Sequence, residues 1–221
     1  EWLPVIFLSA SAEDTDIEEG ILAGGDDYLI KPISQKVLSA KMLAMNRIAG
    51  MRRRLVESNR ILNELATTDH LTGSANRRAF ESTLEHEMSS SRRYGSRLAC
   101  AIFDLDKFKV INDTFGHDAG DAVLVEVVNR IKANLREGDT VGRLGGEEFG
   151  IILPNVEESE ILAAFDRYRC IVADHPVVHE SINIAVTASI GVAVYAGEDE
   201  SKEVLLKRAD ESLYEAKETG R

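Results

Sequence analysis

Near the start of the chain the apolar residues fall in two short strand-like segments, PVIFLSA from Pro4 and DYLIKP from Asp27, with the acidic stretch EDTDIEEGILAGG between them. Buried strand, helix and buried strand in that order predict a parallel β-α-β unit. From Ser34 to Ala66 the period changes. Leu38, Met42, Met45, Ile48, Met51, Leu55, Leu62 and Leu65 recur at steps of three and four, Ser58 fills the one gap, and Gly50 is the only interruption. A stripe of that length without a stop signal predicts a long linker helix of coiled-coil type. After Thr67 the helical and strand periods alternate. The pattern predicts helix 76–93, strand 97–104, helices 107–112 and 118–136, strands 139–144 and 148–153, helix 157–174, strand 182–195 and helix 201–218. The 139–153 pair is a hairpin, so antiparallel neighbours must enter the sheet. The class expected is therefore α/β, a sandwich with a central mixed sheet flanked by helices.

Composition narrows this picture. At 221 residues, with 44% hydrophobic and 29% charged residues, the chain suits one well-buried domain and an appendage. No apolar run approaches the roughly 18 residues of a membrane span. The opening EWLPVIFLSASAED lacks a basic leader and does not begin with Met, so it reads as part of a longer protein without a signal peptide. Cys100 and Cys170 form no pair motif, and a reduced cytoplasm is the expectation. Lys and Arg number 26 against 38 Asp and Glu, giving 26 − 38 = −12. Such a surface argues against nucleic acid or an anionic membrane as partner. If this chain handles phosphates, a metal ion or a few placed cations must do so locally.

The chemistry is concentrated in two acidic stretches. GRLGGEEFGII, residues 142–152, interrupts a strand pair with two glycines and adjacent Glu147 and Glu148. Alone it reads as a solvated hairpin, or as a backbone that something approaches closely. LACAIFDLDKFKVINDTFGHDAGD runs from a buried strand into Asp104 and Asp106, and ends at Asp121. Open sheets place ligand groups at strand mouths, whereas helix capping is the competing explanation and accounts for Asp106 alone. With Glu147 the set offers hard oxygen donors and no Cys or His at ligand spacing, which suits Mg²⁺ or Mn²⁺ and not structural zinc. His117 reads as a loop histidine near a turn.

Five motifs occur in order: DHLTGSANRR at 69–78, FDLDKFKVINDTFGHDAGD at 103–121, GGEEF at 145–149, SIGVA at 189–193 and YEAKETGR at 214–221. Together they resemble the GGDEF family of diguanylate cyclases, over essentially all of 67–221. The resemblance implies a palm-like fold, as in nucleotide cyclases, and a nucleotidyltransferase that joins two GTP into cyclic di-GMP with release of two pyrophosphates. It implies that Asp104 and Glu147, with the backbone carbonyl of Leu105, hold two Mg²⁺ (or Mn²⁺) per site. Asn112 and Asp121 would read guanine, since adenine presents the reverse donor pattern and leaves both unpaired. Gly145 and Gly146 would let the hairpin approach the nucleotide. Lys109, Lys217 and Arg221 would face phosphate oxygens, against the alternative of solvated helix faces. Glu148 is the candidate base for the attacking hydroxyl, with structural support of the hairpin as its competing role. A product assembled from two GTP implies two facing sites and a homodimer. A cyclic di-GMP-binding module without catalysis, or another cyclase of the same type, are the rival readings; retention of Asp104, Asn112, Asp121 and Glu147 favours the enzyme.

Regulation is also implied. Arg136-Glu137-Gly138-Asp139 is an RxxD tetrapeptide just ahead of the hairpin. On its own it is an exposed turn, but in this register it matches the family's product-inhibition site. Arg167 is the expected third contact and Arg169 its rival. Residues 1–33 resemble the last part of a response-regulator receiver domain: Ser9 stands at the switch position and Lys31-Pro32 at the final strand. Asp26 and Asp27 are expected in the loop before the last strand, and so do not replace a phosphoacceptor. An upstream histidine kinase is the implied partner of the full-length protein, and helix 34–66 would carry receiver dimerisation to the catalytic domain 67–221. His70 and Ser74-Ala75 depart from the usual first motif, which predicts a looser domain entry.

Overall fold

The computed structural model describes residues 3–197 and 199–219, and the chain divides into two compact units, Glu1–Asn63 and Glu64–Arg221. In the first, β1 (Ile6–Ser9), α1 (Asp14–Leu22) and β2 (Asp27–Ile30) form the expected β-α-β unit, with Ile6 through Ser9 parallel and in register with Asp27 through Ile30. The sheet has two strands, and Val5, Phe7, Leu8 and Ile30 stay 37–45% exposed. α2 (Gln35–Thr67) runs unbroken through Gly50. Its stripe lies open, with Met42, Met51, Leu55, Leu62 and Leu65 53–71% exposed.

The second unit contains β3 (Ala75–Asn76), α3 (Arg77–Tyr94), β4 (Leu98–Leu105), α4 (Phe108–Phe115), α5 (His117–Lys132), β5 (Thr140–Gly145), β6 (Glu148–Pro154), α6 (Glu158–Ala173), β7 (Val177–His179), β8 (Ile182–Ile184), β9 (Ala188–Val194) and α7 (Lys202–Thr219). The sheet runs β3-β5-β6-β4-β9, and only the β3–β5 pair is parallel. This is the mixed, largely antiparallel sheet the sequence predicts. The strand expected over 182–195 is two strands: β8 turns back onto β7, and β9 alone joins the central sheet. β3 and β7 escape the sequence because segments of two or three residues carry no period.

β4 is an interior strand between β6 and β9, buried along its whole length. Its alternation divides the core. Ala99, Ala101, Phe103 and Leu105 pack with residues of α5 and α6, such as Val127 and Tyr168, while Leu98, Cys100 and Ile102 pack with Phe80 and Leu84 of α3 and Leu205 and Leu213 of α7. Phe80 fits against the bare backbone of Gly142 and Gly150, which are opposite each other in β5 and β6. Two-residue parity then places Asp104 on the α3/α7 face, at the carboxyl end of the strand.

Candidate active site

The register of the central strands brings the acidic groups to one end of the sheet. Asp104 pairs directly with Glu148 of β6 on one side and Ser189 of β9 on the other. Residues directly opposite in an antiparallel pair share a face, with Cβ atoms about 5 Å apart, so two carboxylates there repel. α7 supplies a counter-charge: Lys217 Nζ lies 2.8 Å from Asp104 Oδ1. Glu147 is half-buried in the two-residue turn before Glu148, which is exposed.

The turn owes its shape to a bulge between Arg143 and Gly145 and to Gly146, whose φ of 52° favours a residue without Cβ. Among the described residues, no atom beyond the glycine itself and its two chain neighbours lies within 4 Å of where a Cβ would stand at Gly145 or Gly146. Packing within the domain therefore does not demand these glycines. Backbone conformation does, and the space beside the turn is open. Arg143 fixes the turn from behind. Its Nε donates to the Gly146 carbonyl at 2.9 Å, and Nη1 reaches the Asp69 carboxylate at 3.2 and 3.4 Å. Asp69 also accepts from the Thr72 amide (2.9 Å) and hydroxyl (2.7 Å). Burial raises the Asp69 pKa, but these hydrogen bonds and the Arg143 charge outweigh it and hold the carboxyl below its usual range.

Two expectations change here. Ser74 does not loosen the domain entry. It is buried, its hydroxyl is 2.8 Å from that of Thr72, its carbonyl accepts from the Asp69 amide, and Ala75 joins the sheet beside Gly142. Asp106 is not a helix cap either; Lys107 occupies that position, without a side-chain bond. Asp106 instead accepts from Thr187 Oγ1 (2.6 Å) and Ser189 Oγ (2.8 Å), tying the end of β4 to β9. His117 is exposed and opens α5.

The proposed guanine contacts stand on the α4–α5 pair. Asn112 is half-buried on α4, and Asp121 is exposed on α5. An added Cβ at Gly120 would overlap Asn112 Oδ1, so the amide lies against the position just before Asp121. Lys109 is exposed in the first turn of α4, and Leu105 is buried at the end of β4. Arg221 lies outside the described residues. Among those described, no three His, Cys, Asp or Glu side chains are gathered where one ion could be shared. The oxygen set of Asp104, Glu147 and the Leu105 carbonyl is smaller than that and fits a hard cation by its chemistry, because such ions keep several waters of their own.

A separate cleft of about 210 Å³ opens between the segment before β5 and α6, and Arg136, Asp139, Arg167 and Tyr168 are among its lining residues. Asp139 Oδ2 accepts from the Arg136 amide at 3.0 Å and lies 3.4 Å from Tyr168 Oη. The Arg167 guanidinium sits 5.2 Å from the centre of the Tyr168 ring. Arg169 instead pairs with Asp166 at 2.8 Å, which separates it from Arg167. Sequence reasoning missed Arg143, Tyr168 and Thr187. The one available signal was a charged residue, Arg143, in a strand otherwise built for burial.

A mixed five-stranded sheet with a glycine-bulged acidic hairpin beside the mouth of its interior strand β4 defines an α/β domain with an acidic candidate site. Residues 66–221 match the family described as "Diguanylate cyclase, GGDEF domain", and the chain belongs to that family. It is 38% identical over 224 residues to response regulator PleD of Caulobacter vibrioides, covering 99% of this chain and 49% of that protein. It is 41% identical over 167 residues to diguanylate cyclase A of Treponema denticola, covering 74% of this chain and 45% of that protein. The chain thus spans about half the length of these curated relatives. Among solved structures, the coiled coil and GGDEF domain of DgcB from Caulobacter crescentus, in complex with c-di-GMP, aligns with TM-score 0.76 at 31% identity, over 82% of this chain and 96% of that one. SiaD from Pseudomonas aeruginosa, in complex with its activator SiaC, aligns with TM-score 0.68 at 33% identity, over 94% and 77%. Among the described residues no helix is long and apolar enough to cross a membrane.

Proposed function

We propose that this chain is the output part of a diguanylate cyclase that condenses two GTP into cyclic di-GMP. The observation that supports it best is the register that sets Asp104 opposite Glu148, one residue from the glycine turn, with Lys217 on Asp104. In each half-reaction the 3′-hydroxyl of one GTP attacks the α-phosphorus of the other. A new P–O bond forms, the bond to pyrophosphate breaks, and the hydroxyl proton leaves to a base. Two such events close the ring. Asp104, Glu147 and the Leu105 carbonyl would hold Mg²⁺ or Mn²⁺, which when bound stabilises the attacking and leaving oxygens. Glu148 faces the same end of the sheet and is the nearby base for the proton. Lys217 offsets the carboxylate pair and, with Lys109, offers cations to phosphate oxygens. Asn112 and Asp121 match the guanine edge, and the open side of the Gly145–Gly146 turn leaves room for the nucleotide. The protein otherwise contributes positioning.

Each domain would hold one GTP, so the reacting species is a homodimer of facing sites. The uncovered α2 stripe supports a helix-to-helix pairing. The cleft of Arg136, Asp139 and Arg167 would bind the product: a guanidinium fork suits guanine O6/N7 or phosphate. Residues 1–33 read as the C-terminal part of a receiver domain, 34–66 as the linker helix and 67–221 as the cyclase. The exposed apolar faces of β1 and β2 support the first assignment, since parallel sheets are normally covered on both sides.

The test is incubation with GTP and Mg²⁺, following pyrophosphate and cyclic di-GMP. Turnover that falls about a hundredfold or more in Asp104→Asn and Glu147→Gln is the expected outcome, the scale of removing a charge-stabilising group. Absence of pyrophosphate release at protein concentrations where the chain is dimeric would refute the proposal.

A further inference from the structure

Gly120 occupies the fourth position of α5, inside a helix, where alanine is the better helix former. It needs no unusual backbone angle. Its distinguishing feature is what lies over it. A Cβ built on Gly120 would overlap Asn112 Oδ1 and come within 3.0 Å of Asn112 Cγ and 3.2 Å of Phe108 Cζ. The atoms at issue are the end of one side chain and the edge of a ring, both from α4. The missing methyl group is thus the seat of the Asn112 amide, immediately before Asp121.

We propose that Gly120 is a positioning residue for guanine selectivity: it holds the Asn112 amide in reach of the same base edge as Asp121. This rests on the reading of Asn112 and Asp121 as the guanine contacts. Hydrogen-bond recognition needs donor and acceptor placed together on one edge, and a small displacement of the amide leaves a polar group on the base unpaired. A methyl group at position 120 turns Asn112 away without breaking α4 or α5, because its severe overlap is with the end of the Asn112 side chain, and the Phe108 ring edge at 3.2 Å has to give by only a few tenths of an ångström. Helix propensity and recognition therefore oppose each other at this position, and the sequence carries the residue that recognition requires.

The experiment uses the whole chain and 3′-deoxy-GTP, which lacks the attacking hydroxyl and is not turned over, with 3′-deoxy-ATP as control. Binding is measured by calorimetry in the presence of Mg²⁺, and melting temperature is recorded alongside. Gly120→Ala is expected to weaken 3′-deoxy-GTP binding by about tenfold or more, the effect of one unpaired polar contact, with no loss of melting temperature. Asn112→Ala should weaken binding to a similar extent. The combined variant should bind no worse than Asn112→Ala alone, because both changes remove the same contact. Parent-like binding by Gly120→Ala alongside a weakened Asn112→Ala overturns the inference and spares the guanine reading. So do losses that multiply in the combined variant, which assign Gly120 an independent packing role. A Gly120→Ala chain that melts early or fails to fold overturns it as well when the combined variant does the same; if the combined variant folds normally, the methyl–amide clash is upheld. Parent-like binding by Asn112→Ala removes the guanine reading, and this inference with it.

Discussion

Asp69 is the residue at which local chemistry and domain geometry meet. Its carboxylate closes the turn of its own motif through Thr72 and reaches a strand 74 positions away through Arg143, whose other nitrogen grips the Gly145–Gly146 hairpin. Its folded pKa lies below the unfolded value despite burial. Such a carboxyl contributes stability that is fully present above its unfolded pKa, near 4, and is lost as pH falls through the folded value. Asp69→Asn is therefore expected to lower the urea midpoint at pH 7 by an amount equivalent to about 2 kcal/mol, the worth of hydrogen bonds to a charged group. The difference from the parent should shrink as the pH is taken below about 4. Titrations with the same gap at pH 3 and pH 7 would contradict this role. At this scale the sequence named Asp104 and Glu147, because a carboxylate at a strand mouth or in a glycine turn is locally anomalous, and Asn112 and Asp121 through the resemblance of their motif. It did not name Arg143, Tyr168 or Thr187, whose partners lie 74, 29 and 81 residues distant.

The elements bring these groups together through register and packing. β4 alternates apolar residues between two cores, and the same alternation turns Asp104 toward α7 and Lys217. α6 leans over the segment before β5, converting an RxxD tetrapeptide into one wall of a cleft. Arg136→Ala is expected to keep initial GTP turnover near the parent rate and to raise the cyclic di-GMP level needed for half inhibition by about tenfold, the cost of one bidentate contact. Progress curves that level off at the parent's product concentration would exclude this cleft as the inhibitory site. Long periodic helices and the hairpin were legible in advance. The two-residue β3, the break between β8 and β9 and the end of α5 were not, because strand breaks and helix ends follow from which neighbours are available to bond.

For the molecule as a whole, net charge and the bare stripe on α2 lead in the same direction. On the proposed reading, a chain of net charge −12 brings two triphosphates together only if its sites hold cations, and the exposed stripe offers a surface for a second copy. Replacing Leu55 and Leu62 by Glu on the exposed stripe is expected to shift the chain toward monomer in sedimentation. Specific activity should fall about tenfold at low concentration, in keeping with a bimolecular step that linkage makes effectively intramolecular. Unchanged sedimentation, or activity independent of protein concentration, would exclude α2 as the dimer contact.

The sequence by itself determined the α/β class, the family and the chemical type of each site residue, since periodicity and motif spacing are local properties of a chain. Tertiary structure alone decided that Asp104 faces Glu148 and Lys217, that Asp106 braces β9, that Arg143 joins the domain entry to the hairpin, and that Gly120 makes room for Asn112. These are contacts between residues far apart in sequence or on different elements. They depend on strand register and helix approach at the scale of ångströms, which the order of residues encodes only through the fold.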